Sequence, residues 1–409
     1  MNIVIEVNNA TNPNGRFVSW IPTPCRVRVT DPSGLTGSAV DVEISGRSTS
    51  TGGAVVFRKG LSGNFSPSLT LSVSLSGLSE SFFVAGAFGR ASSRDNDVQI
   101  EGRIGGTRLA SVPVMVRVRK NANDLSSGER DRFINALATL NNRGLGRFTD
   151  FREMHVGNTL SQAHGAPAFL AWHRIYLLDL ERELQAIDPT VALPFWKFDA
   201  PAPRIFRADF LGAPDNSGFV RFAPGHPMNF WRTAGTTGIQ RTMSFSPNSR
   251  PPSLLSQTGT VNLGSTYRQF RDMEINPHAR AHTSFRGFVS NPATAPRDPL
   301  FFLLHCNVDR LWAVWQHQNN RFDANDNGAY DNRALPPRLI GHNLADTMWP
   351  WNGVTGGPRP PVAPGGALAS SMIVTAPGPS PRVEQTLDYQ GRLSPTNRLG
   401  FDYEDVPFA

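Results

Sequence analysis

The chain has 409 residues, a net charge of +7 and only two cysteines, Cys25 and Cys306. This length suggests two or three domains that bury their own cores, and two cysteines exclude a disulfide scaffold and a sulfur metal cage. The absence of a long apolar run argues against a membrane protein, and dispersed Arg residues without stacking motifs argue against nucleic acid as a partner. Because the amino end lacks an export signal, we expect a cytoplasmic protein, although export with a partner would also fit.

Residues 1–120 show the pattern of short strands. Segments such as 25–30, 39–44 and 68–75 alternate apolar and polar residues, and Gly, Asn and Ser turns separate them. About eight strands at this spacing predict an antiparallel β-sandwich. This region contains no histidine, so we expect an accessory domain that covers or docks rather than one that binds a metal.

The pattern becomes helical after residues 121–124. A capping-box sequence, Ser126-Ser-Gly-Glu129, precedes apolar residues at helical spacing. Further helices are predicted over residues 168–187, 265–272, 277–285 and 298–318.

Three parts follow from these patterns. Residues 1–120 are predicted to form the β-rich accessory domain and residues 121–352 a mainly helical domain. Residues 353–409 are a Pro/Gly-rich carboxyl-terminal segment that we expect to close on the core. The fold class is therefore predicted to be α+β with two domains.

Six of the nine histidines fall into two groups. A single buried histidine is most often a core residue bonded to a backbone carbonyl, but six at paired spacings on facing helices favour metal ligands. A donor set of imidazoles alone suits copper, zinc or nickel. A zinc peptidase is disfavoured because Ala279 stands where its general-base Glu would be. The two groups are His155, His164 and His173, and His278, His282 and His305.

Two segments around these histidines resemble the copper-binding signatures of the tyrosinase, catechol oxidase and molluscan hemocyanin family. They are residues 164–176 (HGAPAFLAWHRIY) and residues 298–312 (DPLFFLLHCNVDRLW). Residues 193–199 and 401–403 resemble two further segments of that family. The resemblance covers about residues 123–351 and implies a four-helix bundle in which each histidine group holds one of two copper ions.

The resemblance also implies an activity. Members of this family use dioxygen to oxidise o-diphenols, or o-aminophenols, to o-quinones, and some hydroxylate monophenols first. The alternative is a hemocyanin-like dioxygen-binding protein, or a latent site that the β-rich domain shields. Carriers are usually large chains with many sites, which favours the enzyme here. A separate copper-loading helper protein is a further partner that this family implies.

Four positions beside the ligands have expected roles, two from the resemblance and two from their spacing to a ligand. Glu274 matches a carboxylate that orders a water near the metals, where it could accept a phenolic proton. Ala279 stands where efficient monophenol hydroxylators often have Asn, so we expect diphenol oxidation to dominate, and Thr283 is expected to line the entrance. Asp309 is expected either to support a ligand ring or to pair with an arginine such as Arg310.

The chain also departs from the family pattern. Leu304 replaces the first residue of a His-His pair, and Gln162 replaces a Cys that forms a thioether with the second ligand. We expect copper binding to survive the first change and the cross-link to be absent. The remaining histidines are expected to be structural or solvated; they are His226, His317 and His342.

Overall fold

The computed structural model describes residues 1–8, 10, 15–141, 146–332, 340–357 and 359–408. Its chain divides into two compact units with mixed α and β content. The first unit comprises Met1–Val118, Ser371–Val374 and Gly400–Ala409, and the second comprises Arg119–Ser370 and Thr375–Leu399. Residues 353–409, predicted as one separate segment, are therefore shared between the two units.

The described residues of the first unit form nine strands in two sheets. The strands are β1 (Asn2–Val7), β2 (Phe17–Val18), β3 (Thr23–Asp31), β4 (Ala39–Ser48), β5 (Val55–Arg58), β6 (Ser68–Ser74), β7 (Glu80–Gly86), β8 (Val98–Ile104) and β9 (Thr107–Val116). One sheet has the order β1-β3-β7-β5 and the other the order β2-β9-β8-β4-β6.

Alternate residues of both sheets build a single hydrophobic core. Val42 and Ile44 on β4 are fully buried, as are Phe82 and Val84 on β7 in the other sheet. This spacing of two is expected because successive side chains of a strand point to opposite faces.

One strand pair differs from the antiparallel arrangement that the sequence predicts. Strand β2 runs parallel to β9, with Phe17 opposite Met115. A strand of two residues is too short for an alternating pattern to indicate its direction, so this pairing has no sequence signal. The predicted role of this unit as a cover or docking element stays a prediction.

The second unit is mainly helical. Its helix α4 (Phe169–Ile187) contacts both α1 (Ser127–Asn141) and α8 (Leu300–Asn319). In the part of the chain that the structure describes, no helix is long and apolar enough to cross a bilayer. The shorter helices are α2 (Phe148–Glu153), α3 (Leu160–Ala163), α5 (Gln257–Val261), α6 (Tyr267–Phe270) and α7 (Arg280–Thr283). Short strands connect them: β10 (Ala213–Pro214), β11 (Val220–Arg221), β12 (Arg232–Thr233), β13 (Thr236–Thr237), β14 (Arg241–Met243) and β15 (Phe285–Gly287).

A broken segment, Tyr267–Thr283, stands where the resemblance implies another helix. It consists of α6, a 3₁₀ turn over Arg271–Glu274, an irregular turn and α7. Asn276 leaves the helical region with φ −144° and ψ 115°. The following residue is Pro277, whose ring disfavours a helical conformation of the residue before it. The described residues thus show three long helices and one interrupted one.

A buried ion network joins α4 to α8. Arg174 on α4 donates from Nε to Oδ1 of Asp309 on α8 at 2.6 Å. Arg119 donates to Oδ2 of Asp309 at 3.2 Å and to Glu181 on α4 at 2.8 Å. All four side chains are at most 2% exposed, so the charges interact in a medium that screens them far less than water does.

This network lies beside the candidate ligands. Arg174 follows His173 on α4, and Asp309 lies one helical turn after His305 on α8. Asp309 therefore pairs with arginines, one of the two roles that the sequence left open.

We expect Asp309→Ala to destabilise the second unit by about 3–5 kcal/mol, because it leaves the buried Arg174 guanidinium without its counter-charge and Arg119 with Glu181 alone. Denaturant unfolding followed by tryptophan fluorescence measures this, since seven of the eight tryptophans lie in that unit. Asp209→Ala is the control: its ion pair with Arg130 is partly exposed, so the loss should stay below about 1 kcal/mol. Equal effects of the two changes would contradict the assigned importance of the network.

Candidate metal centre

Both predicted histidine groups are assembled in the structure. One contains His155, His164 and His173, and the other His278, His282 and His305. Within each group the candidate ligand atoms lie within 4.8 Å of one another. This separation allows three nitrogen atoms to coordinate one ion between them.

The first group draws on three neighbouring elements. His155 follows α2, His164 ends α3 in an extended conformation, and His173 lies on α4. His155 and His173 are at most 1% exposed. Gly165, directly after His164, has φ +68°, a conformation that glycine adopts without the strain other residues would suffer.

The second group combines the broken segment with α8. The Nε2 atom of His305 lies 3.3 Å from Nε2 of His278 and 3.1 Å from Nε2 of His282. A neutral His305 carries at most one proton on that atom, so one hydrogen bond cannot satisfy both neighbours. A cation at the point where the three atoms converge would satisfy all of them.

Backbone carbonyls orient four of the six rings. In each of these rings Nδ1–H donates to a carbonyl oxygen, which leaves the lone pair on Nε2 free for a metal. The partners are Pro292 for His155 at 3.0 Å, Phe169 for His173 at 2.8 Å, Glu274 for His278 at 2.8 Å and Val289 for His282 at 2.7 Å.

Several buried ring nitrogens have no hydrogen-bond partner. They include Nε2 of His155 and Nε2 of His173, the two ring atoms that the carbonyl hydrogen bonds leave free. Buried polar atoms are almost always satisfied, and an ion is one standard explanation where they are not. A donor set of imidazoles suits copper, so the residues present fit the predicted pair of copper ions.

Burial keeps these rings neutral. It lowers the pKa of His155, His173, His278 and His305 well below the ordinary value. It also lowers the pKa of His164 and of His282 to about 4. Only an unprotonated imidazole can bind a metal, so the folded protein presents its ligands in the competent form at neutral pH.

The two groups are adjacent. The rings of His173 and His305, one from each group, stack with centroids 4.1 Å apart and planes 11° from parallel. Phe301 packs beside both groups, with its ring centroid 4.9 Å from that of His155 and 4.2 Å from that of His305. Phe169 lies 4.8 Å from His278. These aromatic rings make the surroundings of the metal sites apolar.

A cavity of about 580 Å³ gives access to the histidines. Its volume is within the usual range for small-molecule sites. Ala279 and Thr283 are both exposed and line it, as does Phe301. The lining also includes Glu274, Arg271 and Asp272, together with His155, His164, His278 and His282.

Glu274 presents a carboxylate to this cavity. Its Oε1 accepts a hydrogen bond from the backbone N–H of Gly165 at 2.7 Å, so the carboxylate is held next to the first histidine group. Burial raises its pKa to about 7, although the Gly165 bond and the charge of Arg271 oppose the shift. A carboxylate with this pKa can accept and release a proton at neutral pH.

The two departures from the family pattern have structural partners. Gln162 donates from Nε2 to the carbonyl of Ile340 at 2.9 Å and accepts from the backbone N–H of Trp349 at 3.0 Å. Its side chain therefore joins two loops by hydrogen bonds, at the position where the family pattern has the thioether-forming Cys. Leu304 is fully buried in α8, so it replaces a histidine with core packing.

The three remaining histidines have partners outside the two groups. His226 accepts from Met228 N–H at 3.2 Å and His342 accepts from Ala168 N–H at 3.2 Å. The Nδ1 atom of His317 lies 2.9 Å from Arg392. These contacts are structural.

Sequence reasoning missed two charged residues of the cavity, Arg271 and Asp272. The sequence carried a signal for Arg271, because this residue precedes Glu274 by three positions, which is the repeat of a 3₁₀ turn. The carbonyl partners of His155 and His282 carried no such signal, since a backbone acceptor is available at any residue.

Comparisons with known proteins agree with this geometry. A family model described as the common central domain of tyrosinase matches residues 145–236 and 227–318. A tyrosinase of Streptomyces glaucescens is 33% identical over 267 residues, which are 58% of this chain and 92% of that protein. Grixazone synthase of Streptomyces griseus is 29% identical over 262 residues, 49% of this chain and 85% of that protein.

A solved structure shows the same fold. Deoxygenated hemocyanin from Rapana thomasiana aligns with a TM-score of 0.50 and 22% identity, over 71% of this chain and 70% of that one.

We expect the copper-free protein to lose stability as the pH falls from about 6.5 towards 4. The folded rings of His164 and His282 have a pKa of about 4, whereas unfolded histidines titrate near 6.5. Over this interval the unfolded chain binds more protons, so its free energy drops relative to the folded chain. Denaturant midpoints at several pH values measure the effect.

A His164→Asn, His282→Asn double variant removes two of these groups and should show a weaker dependence of stability on pH. Copper-loaded protein should also resist the pH change, because a bound ion competes with protons for the same nitrogens. A pH dependence that is identical in all three samples would contradict the assignment.

Proposed function

Because this chain belongs to the tyrosinase family, we propose that it is a dicopper oxidase that uses dioxygen to convert o-diphenols, or related o-aminophenols, to o-quinones. The observation that carries the proposal is the convergence of two imidazole groups on one cavity that also contains Glu274. The relatives named tyrosinase and grixazone synthase support an oxidase of this family.

The copper ions, when bound by the two groups, supply dioxygen binding and electron transfer. The chain supplies orientation and proton handling. Oxidation of a diphenol to an o-quinone releases two electrons and two protons, so two diphenols reduce one dioxygen to two waters. Glu274 is the group in the cavity that is suited to accept a phenolic proton, directly or through a water.

The surroundings assist this reaction. The N–H of Gly165 fixes the Glu274 carboxylate, so little reorganisation is needed when a substrate hydroxyl arrives. Phe301 forms an apolar wall against which a phenol ring can pack. Ala279 offers no side-chain amide to assist deprotonation of a monophenol, which supports diphenols as the main substrates.

The competing function is reversible dioxygen binding without oxidation. The hemocyanin alignment supports a shared fold and does not distinguish the two functions. The size of the cavity does distinguish the two functions. Its volume of about 580 Å³ accommodates an aromatic ring, whereas dioxygen alone needs far less space. This favours the enzyme.

We expect copper-loaded protein to consume oxygen rapidly with catechol and slowly with tyrosine. The His173→Ala variant should lose both copper and activity, because it removes a buried ligand. His317→Ala is the matched control and should keep both, since His317 contacts Arg392 outside the site. Comparable rates with tyrosine would contradict the argument from Ala279, and reversible oxygenation without turnover would favour a carrier.

We expect Glu274→Gln to lower kcat/KM for catechol about 10²-fold, because the amide cannot accept the proton. In the wild type, kcat/KM should decrease as the pH falls below about 7, where the Glu274 carboxyl becomes protonated. The variant should lack this decrease. Glu384→Gln, in an exposed pair with Arg382, is the control. An unchanged pH profile in Glu274→Gln would assign the proton to another acceptor.

A further inference from the structure

We propose that Arg271 makes the cavity selective for phenols that carry a carboxylate group. This inference rests on the proposed function, since it names the substrate class of the same cavity. The oxidation uses only the hydroxyl groups of the ring. The other end of the substrate must therefore be recognised by residues that take no part in the chemistry.

Arg271 is placed to contact that other end. It begins the 3₁₀ turn that ends at Glu274, and both residues line the cavity. In such a turn, residues three apart lie on the same side, displaced by roughly 6 Å along the axis. A substrate hydroxyl at Glu274 thus leaves the opposite substituent of the ring within reach of the long Arg271 side chain.

The guanidinium group of Arg271 has unused donors. Its Nη1 atom is buried and has no hydrogen-bond partner. Its Nη2 atom lies 3.5 Å from Oδ2 of Asp331, beyond a good hydrogen-bond distance. Because Arg271 lines the cavity, a carboxylate there would match the planar fork of its guanidinium better than any other common substituent.

The opposing charges in the cavity are weaker competitors. Apart from the histidines, the other ionisable residues that line it are Asp272 and Glu274. Asp272 is exposed, so water screens its charge. The side chain of Arg271 is only 16% exposed, and its attraction is screened less. A substrate carboxylate therefore gains more from Arg271 than it loses to Asp272, and Glu274 lies at the hydroxyl end of the ring, away from that carboxylate.

A matched pair of catechols tests the proposal on copper-loaded protein. The compounds are 3-(3,4-dihydroxyphenyl)propionate and 4-ethylcatechol, which differ by the carboxylate. We expect kcat/KM to be about tenfold higher for the carboxylate, as one charged hydrogen bond would give. Arg271→Gln should bring the ratio near one, mainly through KM, and Arg271→Lys should retain part of it.

Two further variants separate this role from a general effect of charge or folding. Arg268→Gln removes the same charge from an exposed position on the same segment that does not line the cavity, so the ratio should not change. Asp272→Asn removes the repelling carboxylate, so the ratio should rise. This second result is available even if Arg271→Gln does not fold.

Binding to the copper-free protein distinguishes this proposal from the proposed oxidase. We expect calorimetric titration to show tighter binding of 3-(4-hydroxyphenyl)propionate than of 4-ethylphenol, and Arg271→Gln to remove the difference. Oxidation of both catechols with equal kcat/KM would overturn the selectivity and leave the oxidase standing. If neither catechol is oxidised, the titration decides: a retained preference for the carboxylate supports Arg271, and equal binding overturns its role.

Discussion

Six imidazole rings have to remain unprotonated and face one another inside a helical core, and the second unit is organised around that requirement. Burial removes the water that would stabilise a charged ring, which lowers the pKa of each histidine. In four of the six rings, hydrogen bonds from Nδ1 to backbone carbonyls then select the tautomer with a free Nε2. The carbonyls of Pro292 and Val289 lie in the loop between the broken segment and α8, so that loop is part of the metal centre.

Six buried imidazole rings need a rigid frame around them. Without it, the rings would rearrange until their unpaired nitrogen atoms found hydrogen-bond partners. The ion network of Arg119, Arg174, Glu181 and Asp309 supplies such a frame between α4 and α8. A buried ion pair contributes little net stability against an apolar replacement but strongly penalises a broken arrangement. We interpret the network as a device that fixes helix position beside the ligands rather than as a source of overall stability.

The ligands could be predicted from the sequence because histidine clustering and helical spacing are local signals. The break before Pro277 was also predictable, since the residue before a proline avoids the helical region. Other features depend on contacts between distant parts of the chain. The parallel pairing of the two-residue strand β2 and the amide contacts of Gln162 with Ile340 and Trp349 have no local pattern. Both became visible only in three dimensions.

In the proposed mechanism, one short turn combines ligand support, proton transfer and substrate selection. The Glu274 carbonyl orients His278, its carboxylate faces the cavity, and Arg271 lies three residues earlier in the same turn. The backbone of this 3₁₀ turn sets these relative positions, and the Arg271 side chain is separate from both the carboxylate and the ligand. This separation means that the preference for a substituent can change while the centre that reacts with dioxygen is kept. On the proposed roles, the residue at position 271 sets which phenols the metal centre accepts.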